Sequence, residues 1–501
     1  MKTSKISLFQ KTYLPKSSFI YLVFIFTLPL LWRLRILMAV ILAAGKGKRL
    51  GSLTRDRPKA LVEVAGLPLL YRAIKILWMG GIDHFVIVTG CKGDTVEEAV
   101  KRDVKGVSIS FVRNEEWQKG NLYSLAAAEN YIDDEFFLLS VCDHIFDHRI
   151  VKALVEVIPV KYSVVVAAEP GVANEEATKI RVENKKVIEI GKRVSGNYTD
   201  IGLFLCRRKI FKYANIAIER GMSNLSDAIQ IAAERGDATI FDISRIGDIY
   251  VSKLRKEVKP YWIDIDTPED LRQGEKIIVE SSSKGASDLL AHYVHTPIEN
   301  WLVLKVAKTK LTPNQVTLIV NLFAYSATLL FLLSQYLAAS IITFIVGILD
   351  GIDGKLARVK MMTTKIGGLE HPFDYLFELS WIIALSLSLY LTSGDGLPLV
   401  LALLITWIVP FYRFVYDHFR RLTGKSLDDS GDFERIFRRV AGRRNLYNIH
   451  ILISVLLGHP ELCLYTILIH ALLTAVIYVW RAIIHLKRLD RESLLISPKG
   501  L

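Results

Sequence analysis

The stretch MAVILAAGKGKRLGSLTRDRPK, Met38 to Lys59, decides how the first half of the chain folds. Its apolar opening reads as a buried strand, and the glycines and basic residues that follow read as a strand-to-helix loop. Gly45 and Gly47 let backbone N–H groups come close to a phosphate chain. Lys46, Lys48, Arg49 and Lys59 add positive charge suited to a crowded phosphorus centre and a departing pyrophosphate. Outward from this stretch, short runs such as HFVIVTG, VSISFV, FFLLSV and YSVVVAA alternate with helical segments such as Leu70–Met79 and Leu122–Tyr131. The alternation predicts a Rossmann-like α/β domain over residues 38–277, an open and largely parallel sheet with helices on both faces. Nucleotides bind such sheets at the carboxyl ends of the strands.

The rest of the chain is of another kind. Of its 501 residues 51% are hydrophobic and 23% charged, which fits a soluble part joined to a membrane part and not one soluble domain. Residues 1–37 carry lysines and an apolar run short for a spanning helix and broken by Pro29. They read as an extension or a mis-called start before Met38, with an interfacial anchor as the alternative. The four cysteines lack metal-ligand spacing and point to a reducing compartment.

Residues 278–310 read as a linker and an amphipathic helix at the membrane surface, marked by Trp301. Over 311–488 six apolar segments appear, about Val316–Leu333, Tyr336–Leu349, Phe373–Leu391, Leu397–Val415, Leu446–Leu457 and Leu462–Ile484. They predict an all-α domain of six transmembrane helices followed by a tail at 489–501. The second and fifth segments are short if read alone. The turns SQY, TSGDGLP and GHPE contain no Lys or Arg, whereas each opposite connection is basic. By the positive-inside rule the soluble domain, both termini and the basic connections face the cytoplasm of a multi-pass cell-membrane protein. The net charge of +13 thus reflects topology and phosphorylated substrates, and no nucleic-acid partner is expected.

Acids stand among these apolar runs. Asp350 and Asp353 are three apart and share one helical face, which Gly351 and Gly354 are expected to leave open for a bulky ligand. Glu370, Asp374 and Glu378 follow. Intramembrane carboxylates cost roughly 2.5–3.5 kcal/mol each on insertion scales, so they need partners or a purpose.

The glycine loop, with Arg49 and then Pro58–Lys59, resembles the L-A-A-G-x-G-x-R-L…P-K signature of sugar-nucleotide and alcohol-phosphate nucleotidyltransferases, over Met38 to about Leu271. The resemblance implies catalytic roles for Arg49 and Lys59. It also implies base contacts from GNLYSL, with Gly120, Asn121 and Ser124, and a Mg²⁺ ion held by Asp143 and by Asp264, with Asp266 a close competitor. Lys192 resembles a substrate-phosphate lysine. The implied reaction is attack of an alcohol phosphate on the α-phosphorus of CTP.

Asp350 to Arg358 resembles the D-x-x-D-G-x-x-A-R signature of the CDP-alcohol phosphatidyltransferases, which continues x8-G-x3-D-x3-D. Gly367 falls in register, but the next two required positions hold His371 and Tyr375. Removing one residue lays Glu370 and Asp374 on the missing acids; a competing register uses Asp374 and Glu378. In the first register Glu378 is a helix-interior acid that needs an arginine or hydroxyl partner. The resemblance implies two Mg²⁺ ions held by Asp350, Asp353, Glu370 and Asp374, with Asp374 also the base, and a CDP-alcohol held near Gly354 and Arg358. Arg438, Arg439, Arg443 and Arg444 suit a phosphorylated acceptor, lipid headgroups or topology anchoring, with Asp432 and Glu434 expected to pair with them.

Both signatures on one chain, in this order, resemble the bifunctional CTP:inositol-1-phosphate cytidylyltransferase/CDP-inositol:inositol-1-phosphate transferases. That resemblance implies inositol-1-phosphate as substrate, CDP-inositol as intermediate, and pairing of two copies through the bilayer segments. The alternatives are a phospholipid synthase with the same CDP-alcohol chemistry, a transporter and a membrane-anchored nucleotide sensor.

Overall fold

The protein is described from a computed structural model, which covers residues 38–158, 161–172, 175–247, 249–251, 256–283 and 290–496. The readings made for residues 1–37 and for the end of the tail lie outside the described residues. The chain divides into two compact units, one built from most of the first 264 residues and one holding the rest.

The first unit is organised on nine strands: β1 (Met38–Leu42), β2 (His84–Thr89), β3 (Ser108–Arg113), β4 (Phe136–Val141), β5 (Val164–Pro170), β6 (Lys179–Glu183), β7 (Lys186–Gly191), β8 (Tyr198–Arg207) and β9 (Ala238–Asp242). Their order in the sheet is β3-β2-β1-β4-β8-β5-β9-β7-β6. The first four run parallel, with Met38 opposite both His84 and Phe137. The expectation of a largely parallel sheet holds for that half and for the pair β5–β9, but not for the other pairings. β8 runs antiparallel to both β4 and β5, and β6 and β7 form an antiparallel hairpin. The hairpin follows from its two-residue turn, in which Asn184 and Lys185 both take positive φ, the backbone that matches the twist of paired strands. A helix crossover is needed only where strands stay parallel.

The core lies under the sheet centre. Val40, Val86, Phe137, Leu139, Val164, Val166 and Phe204 are buried, and Phe211 from the helix Ile210–Glu219 stacks on Phe137 at 5.5 Å. Each fully buried side chain of this size contributes about 1.5–3 kcal/mol.

The second unit is helical. Thr267 starts the helix Pro268–Ser281 with a capping box: its hydroxyl accepts from Asp270 N–H at 3.2 Å, and the Asp270 carboxylate accepts from Thr267 N–H at 2.7 Å. The helix Thr296–Ala307 leaves Trp301 exposed. Then come α1 (Pro313–Leu332), α2 (Tyr336–Leu349), α3 (Ile352–Val359), α4 (Glu370–Ser393), α5 (Leu397–Thr423), α6 (Arg444–Leu456) and α7 (Leu462–Ile496). A second capping box, Thr312 with Gln315, and Pro313 in the first turn start α1.

All six expected apolar segments are helical. Among the described residues five helices are long and apolar enough to cross a membrane, with α2 running on through Asp350 into α3 as one helix to Val359. The sixth, α6, has 13 residues and by itself is shorter than the roughly 20 residues a bilayer requires. The chain is a membrane protein, and the five candidate spans among the described residues all lie in the helical unit.

Gly120 is the glycine that the fold of the soluble unit needs most plainly. Its φ is +130°, and a Cβ there would lie 2.1 Å from the Ser223 carbonyl oxygen. Gly120→Ala is expected to destabilise the soluble unit by roughly 1–3 kcal/mol. Thermal unfolding followed by circular dichroism would show a midpoint several degrees lower.

Candidate active sites

The first site forms at the carboxyl ends of β1 and β4. After β1 the chain turns through Gly47, whose φ is +67°. A Cβ on Gly47 would lie 2.7 Å from Lys59 Cβ, so the glycine is what lets the Lys59 stem pass beneath the loop. Lys59 is buried, and its Nζ donates to Asp143 Oδ2 at 2.7 Å. Gly45 faces open space, and Arg49 pairs with Glu176 at 2.6 Å.

Asp143 follows β4 directly, and cross-strand register supplies its partner. The short strands His144–Phe146 and Trp262–Asp264 pair antiparallel with Asp264 opposite His144. The ligand atoms of Asp143, His144 and Asp264 lie within 4.8 Å of one another. Asp266 joins the start of the helix Pro268–Ser281 instead, its N–H donating to Asp270 at 3.1 Å.

Two residues not anticipated from sequence belong to this site. His144 Nδ1 lies 3.1 Å from Asp143 Oδ1 and 3.8 Å from Asp264 Oδ1, and its ring is parallel to that of Trp262. Gly202, with φ +74°, leaves room for that ring, since a Cβ there would lie 2.8 Å from it. Asp200 on β8 accepts from Gly202 N–H at 2.8 Å.

The electrostatics follow from this crowding. Burial works against charge on His144, but Asp264, Asp143 and Asp200 together raise its pKa to about 9. Burial also opposes charge on Asp143, yet Lys59 and His144 hold it well below the usual carboxylate range. Asp200 is pushed up to about 6 by burial, against the Gly202 N–H and His144.

The other nucleotide-side residues are placed as follows. Asn121 Oδ1 accepts from Leu225 N–H at 2.6 Å, and Ser124 is buried with its hydroxyl accepting from Asn114 at 2.9 Å. Asn121 and the Leu122 N–H, which donates to the Ser223 carbonyl at 3.1 Å, tie this loop to the segment Ser223–Leu225. Lys192 is exposed in the turn after β7.

The second site forms where α2 passes into α3. Asp353 is buried; it accepts from the Thr317 hydroxyl of α1 and, at 2.6 Å, from Gly354 N–H. Asp350 pairs with Arg444 at the start of α6, and Asp374 and Glu378 also act electrostatically on that arginine. A Cβ on Gly354 would lie 3.4 Å from Arg358 Nη1, and Arg358 Nε donates to the Ser282 carbonyl at 2.6 Å.

Gly351 does not open the face as expected. A Cβ there would lie 2.7 Å from the carboxylate of Glu299, which fills that space from the helix Thr296–Ala307.

Glu378 has the arginine its position required. Arg413 of α5 donates to it at 2.6 Å, both side chains are largely buried, and the guanidinium stacks over Tyr375 at 4.6 Å. The Glu370 side chain lies outside the described residues.

The basic segment before α6 also departs from expectation. Asp432 pairs with Arg435 at 3.2 Å, and Glu434 pairs with Arg481 and His485 of α7, not with the four arginines named from sequence. Arg438 turns inward, donating to the Tyr478 hydroxyl at 2.7 Å and stacking over Tyr416 at 4.1 Å. Arg439 is exposed, and Arg443 precedes the first turn of α6.

Comparison with known proteins gives both halves an identity. Residues 39–227 match the MobA-like NTP transferase domain, and residues 310–428 match the CDP-alcohol phosphatidyltransferase family. The bifunctional IPC transferase and DIPP synthase of Aquifex aeolicus (strain VF5) is 32% identical over 428 residues, covering 84% of this chain and 92% of that protein. The protein of the same name from Thermococcus kodakarensis is 31% identical over 373 residues, covering 73% of this chain and 78% of its own length. The chain belongs to the bifunctional IPC transferase and DIPP synthase family. Among solved structures, the inositol-1-phosphate CTP transferase from T. maritima is 27% identical, with a TM-score of 0.41, covering 48% of this chain and 96% of that one.

Membership makes the chain both a nucleotidyltransferase and a CDP-alcohol phosphotransferase. It leaves Arg413, Thr317, Glu299, His144 and Asp200 as residues that sequence reading missed. Only the appetite of Glu378 for a partner pointed toward one of them.

Two outcomes follow for stability. Arg413→Ala leaves a buried carboxylate unpaired and is expected to cost about 3–5 kcal/mol, whereas Arg413→Leu with Glu378→Leu recovers most of the loss in a detergent-solubilised melt. Asp200 has a folded pKa above its unfolded one, so its ionisation weakens the fold as pH rises through about 6. In EDTA, the stability gain from Asp200→Asn is therefore expected to be largest above pH 7 and to vanish below about pH 4.

Proposed function

We propose that the soluble unit forms CDP-inositol and pyrophosphate from CTP and inositol-1-phosphate. The membrane unit then transfers the inositol phosphoryl group to a second inositol-1-phosphate, releasing CMP and leaving a phosphorylated di-inositol phosphodiester. The observation that carries this reading is the presence of two separate acidic constellations, Asp143/Asp264 and Asp350/Asp353, the first beginning inside the nucleotidyltransferase match at Asp143 and the second lying inside the CDP-alcohol phosphatidyltransferase match.

In the soluble site the loop Gly45–Arg49 cradles the triphosphate, Lys59 and Arg49 face the charge that develops on the α-phosphorus and pyrophosphate, and Gly120, Asn121 and Ser124 shape the base pocket. Lys192 takes the phosphate of the incoming alcohol. In-line displacement needs positioning and charge neutralisation, not a covalent protein group.

In the membrane site Asp350, Asp353, Glu370 and Asp374 hold the metals, and the Arg413–Glu378 pair supports the register in which Glu378 is not a ligand. Asp374 accepts the proton of the attacking hydroxyl. Gly354 and Arg358 border the CDP moiety, and Arg438, Arg439, Arg443 and Arg444 serve the acceptor phosphate. The donor sets are carboxylate-rich, which suits Mg²⁺, one ion in the soluble site and two in the membrane site. When bound, such ions neutralise the phosphate oxygens and the leaving group.

The domain limits follow the sequence reading: a cytidylyltransferase over 38–277, a juxtamembrane link over 278–310, and six helices over 311–488 with α6 completing the bundle. Both active sites face the cytoplasm of the cell membrane, where CTP is, and two copies pair through the bilayer segments.

Incubating the purified protein with CTP, inositol-1-phosphate and Mg²⁺ and following phosphorus NMR tests the pathway. Pyrophosphate, CMP and a new phosphodiester are expected without added lipid; a phosphodiester that forms only with lipid would favour a phospholipid synthase. Asp374→Asn is expected to abolish consumption of CDP-inositol while pyrophosphate release continues, and Asp143→Asn to do the reverse when CDP-inositol is supplied.

A further inference from the structure

The divalent-cation site of the soluble unit has a feature that two aspartates alone do not explain. Asp143 divides its two oxygens: Oδ2 receives Lys59, and Oδ1 is turned to His144. Asp264 Oδ1 faces the same ring nitrogen, at 3.8 Å. Two carboxylate oxygens and an imidazole nitrogen therefore converge, with Nδ1 at 3.1 Å from the nearer oxygen.

These separations are those of ligands sharing one ion. With bonds of about 2.0–2.1 Å, donors at right angles on an octahedral cation sit roughly 3 Å apart, and opposed donors about 4.2 Å apart. The 3.1 Å separation matches adjacent donors, and the 3.8 Å one lies between adjacent and opposed positions, so a small shift of the Asp264 carboxylate brings all three donors onto one ion.

The ring is also held in place. It lies parallel to Trp262, with centroids 6.1 Å apart. The left-handed Gly202 gives it space that a Cβ would occupy. Antiparallel register sets Asp264 directly across from it. A histidine serving only as a surface residue needs none of this; the His144 side chain is only 17% exposed.

We infer that His144 Nδ1 is a third protein ligand of the cation in the cytidylyltransferase site, making its donor set nitrogen and oxygen instead of oxygen alone. The inference rests on the nucleotidyltransferase reading of this unit. A mixed set shifts preference from Mg²⁺ toward Mn²⁺ and later first-row ions, because imidazole is the softer donor. It leaves the remaining coordination positions to water and substrate phosphate oxygens.

The test uses the full-length protein in detergent, Mn²⁺ alone without nucleotide, and pulsed electron paramagnetic resonance. Wild type is expected to show a ¹⁴N modulation that changes to the ¹⁵N pattern when the histidines are ¹⁵N-labelled. His144→Gln is expected to lose the modulation and to bind Mn²⁺ at this site roughly tenfold or more weakly, with a smaller Mn²⁺-over-Mg²⁺ preference. Bound Mn²⁺ in wild type without nitrogen modulation, or a modulation that persists in His144→Gln, would overturn the assignment, and the wild-type measurement stands even if that variant fails to fold.

Pyrophosphate release from CTP and inositol-1-phosphate is followed on the same wild-type preparation. Release without nitrogen modulation overturns the ligand assignment alone. Nitrogen modulation without release supports the assignment and overturns the substrate reading.

Discussion

A carboxylate taken out of water has to be answered by a cation or by several hydrogen-bond donors, and both units of this protein are arranged around that requirement. In the soluble unit Lys59 answers Asp143 and His144 lies between Asp143 and Asp264. In the membrane unit Arg413 answers Glu378, Arg444 answers Asp350, and Thr317 with the Gly354 N–H answers Asp353. The Lys59–Asp143, Arg413–Glu378, Arg444–Asp350 and Thr317–Asp353 pairings join elements distant in sequence, so contacts that neutralise charge also set where strands and helices meet.

The acids of the membrane unit differ in what answers them. Glu378 is committed to a structural pair. Asp350 is paired with Arg444, on which Asp374 and Glu378 also act, whereas Asp353 is held by Thr317 and the Gly354 N–H. The soluble unit divides the two oxygens of one residue instead, with Asp143 Oδ2 held by Lys59 and Oδ1 turned to His144.

Much of this was legible in the sequence. The glycine loop after β1, the acid after β4 and all six apolar helices are local patterns of period, composition and spacing, and they lie where those patterns point. What was not legible depends on partners far along the chain. β8 enters the sheet antiparallel, which no property of Tyr198–Arg207 announces. His144 becomes a site residue because Trp262–Asp264 pairs with its strand, and Asp200 because β8 lies beside β4. Gly351 read as an opening, yet the space is filled by Glu299 from a preceding helix, a packing fact with no sequence period. Arg413 sits in an apolar run, and only its pairing with Glu378 shows its place.

The central claim is that one chain carries two independent sites that act in succession. Mixing purified Asp143→Asn and Asp374→Asn proteins with CTP, inositol-1-phosphate and Mg²⁺ tests it most directly. Neither variant alone is expected to form the phosphodiester, and the mixture is expected to form it through released CDP-inositol. A mixture that stays inactive, although each variant retains its own half-reaction, would contradict an account in which the sites work as separate stations linked by a diffusible intermediate.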